Sequence, residues 1–500
     1  MNEPLDDATW HRLDRRMLVV QPVQELRRFL PLLVGAFLAG GTARGGGLGW
    51  ELVAVAVPVL LGVARYLTTR YRIHDGRVEL RRGLLQRTLR TAQLDRVRTV
   101  DLTSGPVHRI LGLSTVRIGT GAGADQDLDL DSLGRDDAQR LRVALLDRAA
   151  LEGAPLTDPG ADPGAADGAA PPEPDRVVLR LDPSWARYAP LTSAGVLAAA
   201  ALLGVATQVV PDSAWRLDRL PDLTPEGGGW VVLLGVGLVA AAVASAVLAV
   251  AGYLVAHWDL TLTRTPRQWR LVRGLLTTRE TTVEDARLAG VVVREPLGLR
   301  LAGAAELGAV VTGLGGEQKG TLTLVPPAPA AVVAGVATEV LGSRSPAYAP
   351  LHGHGPAATR RRWLRALSPV LVLLVVAAAG VLLADVPALV LVPVALLLLP
   401  AAALARDRSR SLGHALVEGH VVARSGSLVR RREVLGVGHV IGWTVRDTWF
   451  QRRQGLVTLE ATTAGGRQRV TVLDVPEGAG LDLASGSSPG LLAAFVRDGR

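Results

Sequence analysis

The sequence of 500 residues contains no cysteine, which excludes disulfide scaffolds, thiolate nucleophiles, iron–sulfur clusters and every zinc site built on cysteine. Lysine is almost absent as well, because Lys319 is the single one among 55 basic side chains and the others are arginines. A phosphate-binding loop with a Gly-Lys-Ser or Gly-Lys-Thr ending is therefore excluded. No residue pattern typical of catalysis is found. We expect no enzymatic activity, no cofactor and no metal site.

Hydrophobic residues make up 48% of the chain, and they cluster in six segments that come in pairs. The pairs lie at 29–43 and 48–67, at 188–210 and 230–255, and at 366–384 and 386–405. A membrane-spanning helix needs about 20 apolar residues, a length that five of the six segments reach or approach. We therefore predict six transmembrane helices in three hairpins, in preference to buried helices in a large soluble core.

The charges predict how the hairpins are oriented. Loops on one side of the hairpins are acidic on balance, whereas arginines flank the segments on the other side: Arg12, Arg15, Arg16, Arg27, Arg28, Arg360, Arg361, Arg362 and Arg365. The positive-inside rule then places both termini and all polar blocks in the cytoplasm of a multi-pass protein of the cell (inner) membrane. The net charge of +9 suggests the anionic inner leaflet as a partner. No nucleic-acid-binding motif is present, and we expect no nucleic-acid partner.

The three polar blocks repeat one another without gaps. Aligning Gly83, Gly274 and Gly426 brings a second glycine into line 29 residues later in each block: Gly112, Gly303 and Gly455. Three residues before that second glycine each block carries an arginine: Arg109, Arg300 and Arg452. Such a regularity indicates three copies of one structural unit.

Each block is predicted to be rich in β-strands and to close with a helix. In block one, residues 71–74 and 77–80 alternate around Asp75-Gly76, the pattern of a β-hairpin with a tight turn. Residues 114–119 indicate a further strand. Closing helices are predicted at 132–150, where Ser132 can cap the start, at 330–341 and at 489–496.

Two stretches of block one resemble a known family. Asp95-Arg-Val-Arg-Thr-Val-Asp-Leu and Gly105-Pro-Val-His-Arg-Ile-Leu-Gly-Leu-Ser-Thr-Val-Arg-Ile resemble the signature of bacterial pleckstrin-homology-like (PH-like) membrane proteins of the YdbS/YdbT type. Block three repeats the second stretch as Gln451-Arg-Arg-Gln-Gly-Leu-Val-Thr-Leu-Glu, whereas block two has the degenerate Gly303-Ala-Ala-Glu-Leu. The resemblance implies a seven-stranded β-barrel or sandwich capped by a C-terminal helix in each block.

The predicted fold class is therefore α+β, a polytopic membrane protein with three hairpins and three cytoplasmic PH-like units. The predicted organisation is a cytoplasmic segment at 1–28, hairpins at 29–67, 186–257 and 363–405, PH-like units at 68–150, 258–341 and 406–500, and linkers at 151–185 and 342–362. The second unit is the degenerate one. His352 and His354 fall in the second linker and are interpreted as part of it.

A basic surface is the candidate site for function. It consists of Arg81, Arg82, Arg87 and Arg90 in block one and of Arg430, Arg431 and Arg432 in the matching stretch of block three. Each arginine could add about 1 kcal/mol of attraction to an anionic leaflet. The alternative is a solvated strand edge that serves only as a topology signal.

The predicted function is that of a non-enzymatic scaffold, or an envelope-stress or antimicrobial-resistance factor, that acts through protein or lipid contacts. A second membrane protein is a candidate partner beside the lipid. The alternative from another class is a membrane transporter or lipid-handling protein whose hairpins form a path. Neutralising Glu51 and Asp385, at the outer ends of the segments, distinguishes the two, because a scaffold tolerates that change and a transporter does not.

Overall fold

A computed structural model of the chain describes residues 7–18, 66–74, 77–82, 88–93, 99–119, 128–142, 175–192, 229–312, 321–384 and 386–488, with the single positions 20, 56, 60, 63, 64 and 195. The first predicted hairpin and the first segment of the second lie almost entirely outside these residues. The same holds for the predicted helix at 489–496 and for Glu51, Arg87 and Asp385.

Twenty strands are present in the described residues. They are β1 (Asp7–Arg12), β2 (Arg70–His74), β3 (Arg77–Arg82), β4 (Thr88–Gln93), β5 (Thr99–Ser104), β6 (Leu113–Gly119), β7 (Leu128–Gly134), β8 (Arg176–Arg180), β9 (Thr261–Thr265), β10 (Gln268–Arg273), β11 (Thr278–Glu284), β12 (Leu288–Pro296), β13 (Ala304–Val311), β14 (Leu322–Pro329), β15 (Gly413–Val417), β16 (His420–Ser425), β17 (Val429–Gly436), β18 (Gly442–Arg446), β19 (Leu456–Thr462) and β20 (Arg469–Pro476).

The helices are α1 (Pro106–Leu111), α2 (Gly229–His257), α3 (Leu297–Leu301), α4 (Ala330–Leu341), α5 (Ser345–Tyr348), α6 (Gly355–Leu383), α7 (Leu391–Leu396), α8 (Leu398–Ser411), α9 (Trp449–Arg452) and α10 (Glu477–Ser487). Short 3-10 helices lie at Pro183–Leu191, Asp285–Arg287, Ala388–Val390 and Val437–His439. The chain divides into two compact units, one of residues 1–180, 259–285 and 313–319 and the other of residues 181–258, 286–312 and 320–500. Block two therefore contributes β9–β11 to the first unit and β12–β14 to the second.

The first unit contains two antiparallel sheets, with strand orders β1-β2-β3-β4 and β7-β6-β5-β11-β10-β9-β8. The predicted hairpin is confirmed, because β2 and β3 pair with His74 opposite Arg77. Alternate side chains of the two sheets are buried in one core, to which β3 contributes Val78 and Leu80. The predicted helix start at Ser132 is wrong, since β7 continues to Gly134 and the helix begins at Arg135.

The second unit has sheets with strand orders β14-β13-β12-β17-β16-β15 and β18-β19-β20. One core of this unit joins residues of β16 and β17, such as Val421 and Leu435, with Leu459 of β19 and Val472 of β20. Leu483 of α10 completes this core, so α10 closes block three. The predicted closing helix of block two at 330–341 is confirmed by α4.

The first strand of a block precedes its predicted hairpin in the sequence. β1 pairs with β2 across residues 13–69, and β8 pairs with β9 across residues 181–260. In block three an isolated bridge between His352 and His414 of β15 takes the same place. Parts of the predicted N-terminal segment and linkers thus belong to the blocks. The sequence did not indicate these strands, because they are short and their partners lie beyond an apolar hairpin.

Consecutive blocks share sheets. In the first unit β5 of block one pairs with β11 of block two, and in the second unit β12 of block two pairs with β17 of block three. The close approach of β12 and β17 requires Gly290, because a Cβ there would overlap the carbonyl oxygen of Val434. An edge strand offers unpaired backbone groups, and the next copy of the repeat supplies a strand that pairs with them.

Three helical stretches in the described part of the chain are long and apolar enough to cross a membrane: Gly235–His257, Gly355–Leu383 and Ala388–Ser411. They coincide with the predicted segments at 230–255, 366–384 and 386–405. Helix α6 begins at Gly355, so the arginines at 360–362 and 365 lie inside its first turns rather than before it. Helices α6 and α8 pack against each other, as a hairpin requires.

Candidate functional site

The arginines of the predicted basic surface lie on three strands. Arg81 and Arg82 are in β3, Arg90 is in β4 and is exposed, and Arg430–Arg432 are in β17, while Arg87 lies outside the described residues. The arginines of block one and those of block three lie in different units, since β3 and β4 belong to the first unit and β17 to the second.

Two of the three arginines of β17 have structural partners. Arg430 donates a hydrogen bond to Asp407 Oδ1 at 2.8 Å, and Arg300 contacts the same carboxylate at 3.2 Å. Arg432 donates to the carbonyl oxygen of Ala349 at 2.6 Å, and burial lowers its pKa to about 10. These side chains hold β17 to neighbouring elements of the second unit.

Arg431 lines a small cavity of the second unit. Arg294, Arg467 and Arg469 share this cavity, and Glu433 is the single carboxylate among the described residues of its lining. Burial raises the pKa of Glu433 and lowers that of Arg294, in each case the direction that disfavours the charged form. The four guanidinium groups of the described lining favour a small anion as a ligand of this cavity.

A buried ionic cluster joins block three to the apolar helix α6. Asp474 at the end of β20 is 3% exposed, and its carboxylate contacts Arg361 Nε at 3.1 Å and Arg362 Nη2 at 2.6 Å. Gln451 of α9 donates to Asp474 Oδ1 at 2.8 Å. The φ angle of Asp474 is +52°, a conformation that Asp and Asn tolerate better than other side chains with a Cβ. The sequence did not reveal this cluster, because arginines at the end of an apolar segment are also the normal topology signal.

A histidine pair lies beside this cluster. His354 Nδ1 is 2.8 Å from the carbonyl oxygen of Leu473, and His414 Nδ1 is 3.0 Å from His354 Nε2. Both contacts are satisfied when each ring is neutral and carries its proton on Nδ1, a tautomer inferred from the hydrogen-bond network. Burial lowers the pKa of both histidines, that of His414 to about 4. Among the described residues no group of His, Asp and Glu is arranged to hold a metal ion.

We expect the stability of the chain to fall as the pH drops from about 6.5 towards 4. In the unfolded chain a histidine takes up its proton near pH 6.5, whereas in the folded chain His414 does so only near pH 4. The unfolded state therefore binds more protons in this interval, which costs on the order of 3 kcal/mol of stability in total.

The melting temperature of the full chain in detergent, measured between pH 7.5 and 4, tests this expectation. His414→Asn keeps an N–H donor towards His354 and removes one titrating group, so its melting temperature should fall less with pH. A fall as steep as that of the unsubstituted chain would contradict the assignment.

The repeated arginine connects one block to the next. Arg109 Nη1 donates to the carbonyl oxygen of Leu275 at 2.6 Å, and Arg300 Nη1 lies 3.5 Å from that of Ser427. Leu275 and Ser427 each follow the first aligned glycine of the next block. The second aligned glycine follows helices α1, α3 and α9 with φ angles of +68°, +67° and +60°, which explains why each block has glycine there.

Both junctions between blocks have the same register. Thr278, four residues after Gly274, is opposite Ser104, which is 21 residues after Gly83. Leu435, nine residues after Gly426, is opposite Gly290, which is 16 residues after Gly274. The paired offsets add to 25 at both junctions. The repeat in the sequence is therefore also a repeat of the pairing between blocks.

Comparison with known proteins defines the class of these blocks. The family described as "Bacterial PH domain" matches residues 29–149 and 370–483. Each match runs from a predicted hairpin into the block that follows it, so blocks one and three are similar to bacterial PH domains.

The relatives confirm the YdbS/YdbT-type resemblance. The chain is 23% identical to the UPF0699 transmembrane protein YdbT of Bacillus subtilis (strain 168) over 288 residues, which cover 54% of this chain and 55% of that protein. It is 27% identical to the UPF0699 transmembrane protein YdbS of the same organism over 93 residues, or 19% of this chain and 57% of that protein. The chain thus spans about half the length of the curated relatives it matches. No solved structure matches it. The relatives and the apolar helices together make this a membrane protein.

Proposed function

We propose that this protein is a non-enzymatic scaffold of the cell membrane, with both termini in the cytoplasm, whose three blocks act as one platform under the inner leaflet. The observation that carries the proposal is the sharing of sheets between consecutive blocks, β5 with β11 and β12 with β17. Backbone hydrogen bonds along a whole strand make each junction part of a sheet rather than a flexible tether. Such pairing joins neighbouring blocks without a flexible connection at each junction, which is what a scaffold requires.

The order of strands supports a hairpin between the first and second strand of each block. Arg12 of β1 lies opposite Arg70 of β2, and Arg180 of β8 lies opposite Thr261 of β9. The chain that leaves a block at its first strand must therefore return to the same block at its second. Two apolar helices satisfy this condition, because the second brings the chain back to the side where the first began.

The lipid-facing part of the proposal is tested on the full chain in nanodiscs, one chain per disc, by hydrogen exchange. In discs with anionic lipid, peptides covering β3 and β4 should exchange more slowly than in neutral discs, and added salt should abolish the difference. Arg81→Gln combined with Arg90→Gln should weaken the association about 30-fold, since each arginine contributes about 1 kcal/mol. Adding Arg82→Gln and Arg87→Gln should remove it.

The matched control removes two charges elsewhere in block one. Arg135 and Arg140 are exposed on the helix that follows β7, and Arg135→Gln with Arg140→Gln should leave the exchange unchanged. Equal exchange in neutral and anionic discs would refute the role of the basic surface. The scaffold would then act through protein contacts alone.

A further inference from the structure

Two strands lie at sheet edges although their counterparts pair between blocks. β4 ends the order β1-β2-β3-β4, and β18 ends the order β18-β19-β20, among the strands that the structure describes. In the repeat, β4 is the counterpart of β11 and β17, and β18 is the counterpart of β5 and β12. Within the described chain, β4 and β18 therefore have no partner from a neighbouring block, whereas their counterparts do.

We propose that β18 of one chain pairs with β4 of a second copy of this chain, so that block three of one copy joins block one of the next. The partner is a second copy, because its β4 is the counterpart of β11 and β17. Those two strands pair with β5 and β12, the counterparts of β18, at the junctions within this chain. The inference extends the proposed platform from one chain to several, and therefore rests on it.

The register of the two internal junctions fixes the register of the third. Applied to β4 and β18, it places Thr88 opposite Arg446, Leu89 opposite Val445 and Thr91 opposite Trp443. The five residues of β18, Gly442–Arg446, fall opposite residues 88–92 of β4, so the strands overlap along the whole of β18.

The edges of β4 and β18 carry exposed apolar side chains, as expected of a surface that a second copy covers. Leu89 is 57% exposed and Val445 is 51% exposed, and the register places them directly opposite each other. Ile441, Trp449 and Phe450 around β18 are also more than half exposed. Exposed large apolar side chains grouped near one strand edge are typical of an interaction site.

The repeated arginine of block three lacks the contact that its counterparts make to a following block within the chain. Arg109 and Arg300 donate to carbonyl groups of the following block, whereas Arg452 is 63% exposed and contacts Asp447 of its own block at 3.2 Å. In the proposed pair Arg452 takes the position that Arg109 and Arg300 have at the two junctions within the chain.

The proposed contact is heterologous, because β18 and β4 are different surfaces. Such a contact leaves a free β4 at one end and a free β18 at the other, so copies add until a ring closes or a filament forms. In the membrane the hairpins hold all copies at one depth, so the ring or filament lies in the membrane plane.

Disulfide trapping tests the proposal, because the natural chain has no cysteine. Two differently tagged full-length chains, one with Leu89→Cys and one with Val445→Cys, are produced together and oxidised in the membrane. Opposite residues of antiparallel strands have their Cβ atoms about 4.5–5.5 Å apart, close enough for a disulfide after small adjustments. We expect a cross-linked pair that carries both tags, at least about tenfold more abundant than with Thr444→Cys, whose side chain points to the other face of β18.

A second measurement separates assembly from the placement of cysteines. Arg452→Gln should reduce the cross-linked pair severalfold, whereas Arg453→Gln, the adjacent arginine stacked on Trp449, should not. Cross-linked pairs of two identically tagged chains, or equal yields with Val445→Cys and Thr444→Cys, would overturn the proposal. Protection of Trp449 and Phe450 by lipid, with no pair formed, would assign this surface to the membrane instead. If the β5–β11 cross-link described below still forms, the platform within one chain stands and the contact between copies alone has failed.

Discussion

Replacing Asp474 by Asn is expected to destabilise block three by about 3–5 kcal/mol, because the charges of Arg361 and Arg362 then stay buried without a counter-charge. Asn retains the shape of the side chain, tolerates the φ angle of +52° and can still accept the hydrogen bond from Gln451. The substitution therefore removes the charge and little else. The Asp474 side chain is 3% exposed and the two arginines are 12% and 14% exposed, so solvent screens the interaction only weakly.

Guanidinium unfolding of the full chain in detergent, followed by tryptophan fluorescence, measures this loss. Asp482→Asn is the matched control, since Asp482 is exposed on α10 of the same block and its change should stay within about 0.5 kcal/mol. Equal stabilities of the two variants would show that the cluster does not hold block three to helix α6.

The cluster also connects block three with the apolar helix α6. Arg361 and Arg362 lie in the first turns of α6, a helix whose apolar side chains are largely exposed, such as Val375 at 69%. Asp474 belongs to the last strand of block three. The two ion pairs therefore connect α6 directly to β20.

Local features of the fold were predictable from the sequence. The β2–β3 hairpin follows from alternating residues around Asp-Gly, and α4 follows from apolar spacing within 330–341. The aligned glycines predicted the repeat, and the structure adds that the second glycine of each block has a positive φ angle after a short helix. These features depend on residues close together in the chain.

Pairings over long distances were not predictable. Strands β1 and β8 are five or six residues long and pair with strands beyond a hairpin, so no local pattern marks them. The sequence does not distinguish the possible partners of an edge strand. It does not indicate whether β5 pairs only within its block or also with β11 of the next block. The paired offset of 25 appears only when the registers are known.

The candidate site was also predictable only in part. The sequence marked arginines by their clustering, yet Arg430 and Arg432 are held by Asp407 and Ala349, partners that a charge pattern does not reveal. Arg90 of block one is exposed in β4 and remains a candidate for contact with lipid. The repeated arginine was visible as a regularity, but its role became clear only from the carbonyl groups of Leu275 and Ser427.

The central claim is that consecutive blocks share a sheet, and the β5–β11 junction offers its most direct test. Thr103 and Arg279 are directly opposite each other, and neither is buried. We expect Thr103→Cys with Arg279→Cys to form an intramolecular disulfide in most molecules on oxidation in the membrane, because opposite Cβ atoms are about 5 Å apart. Free thiols after oxidation and the masses of the linked peptides provide the measurement.

The control moves one cysteine by a single residue. Thr278 is next to Arg279 in β11 and its side chain points to the other face of the sheet, so Thr103→Cys with Thr278→Cys should stay reduced. A full disulfide in the first pair and little in the second is the result expected if blocks one and two form one sheet. Equal oxidation of the two pairs, or none in either, would contradict the shared sheet.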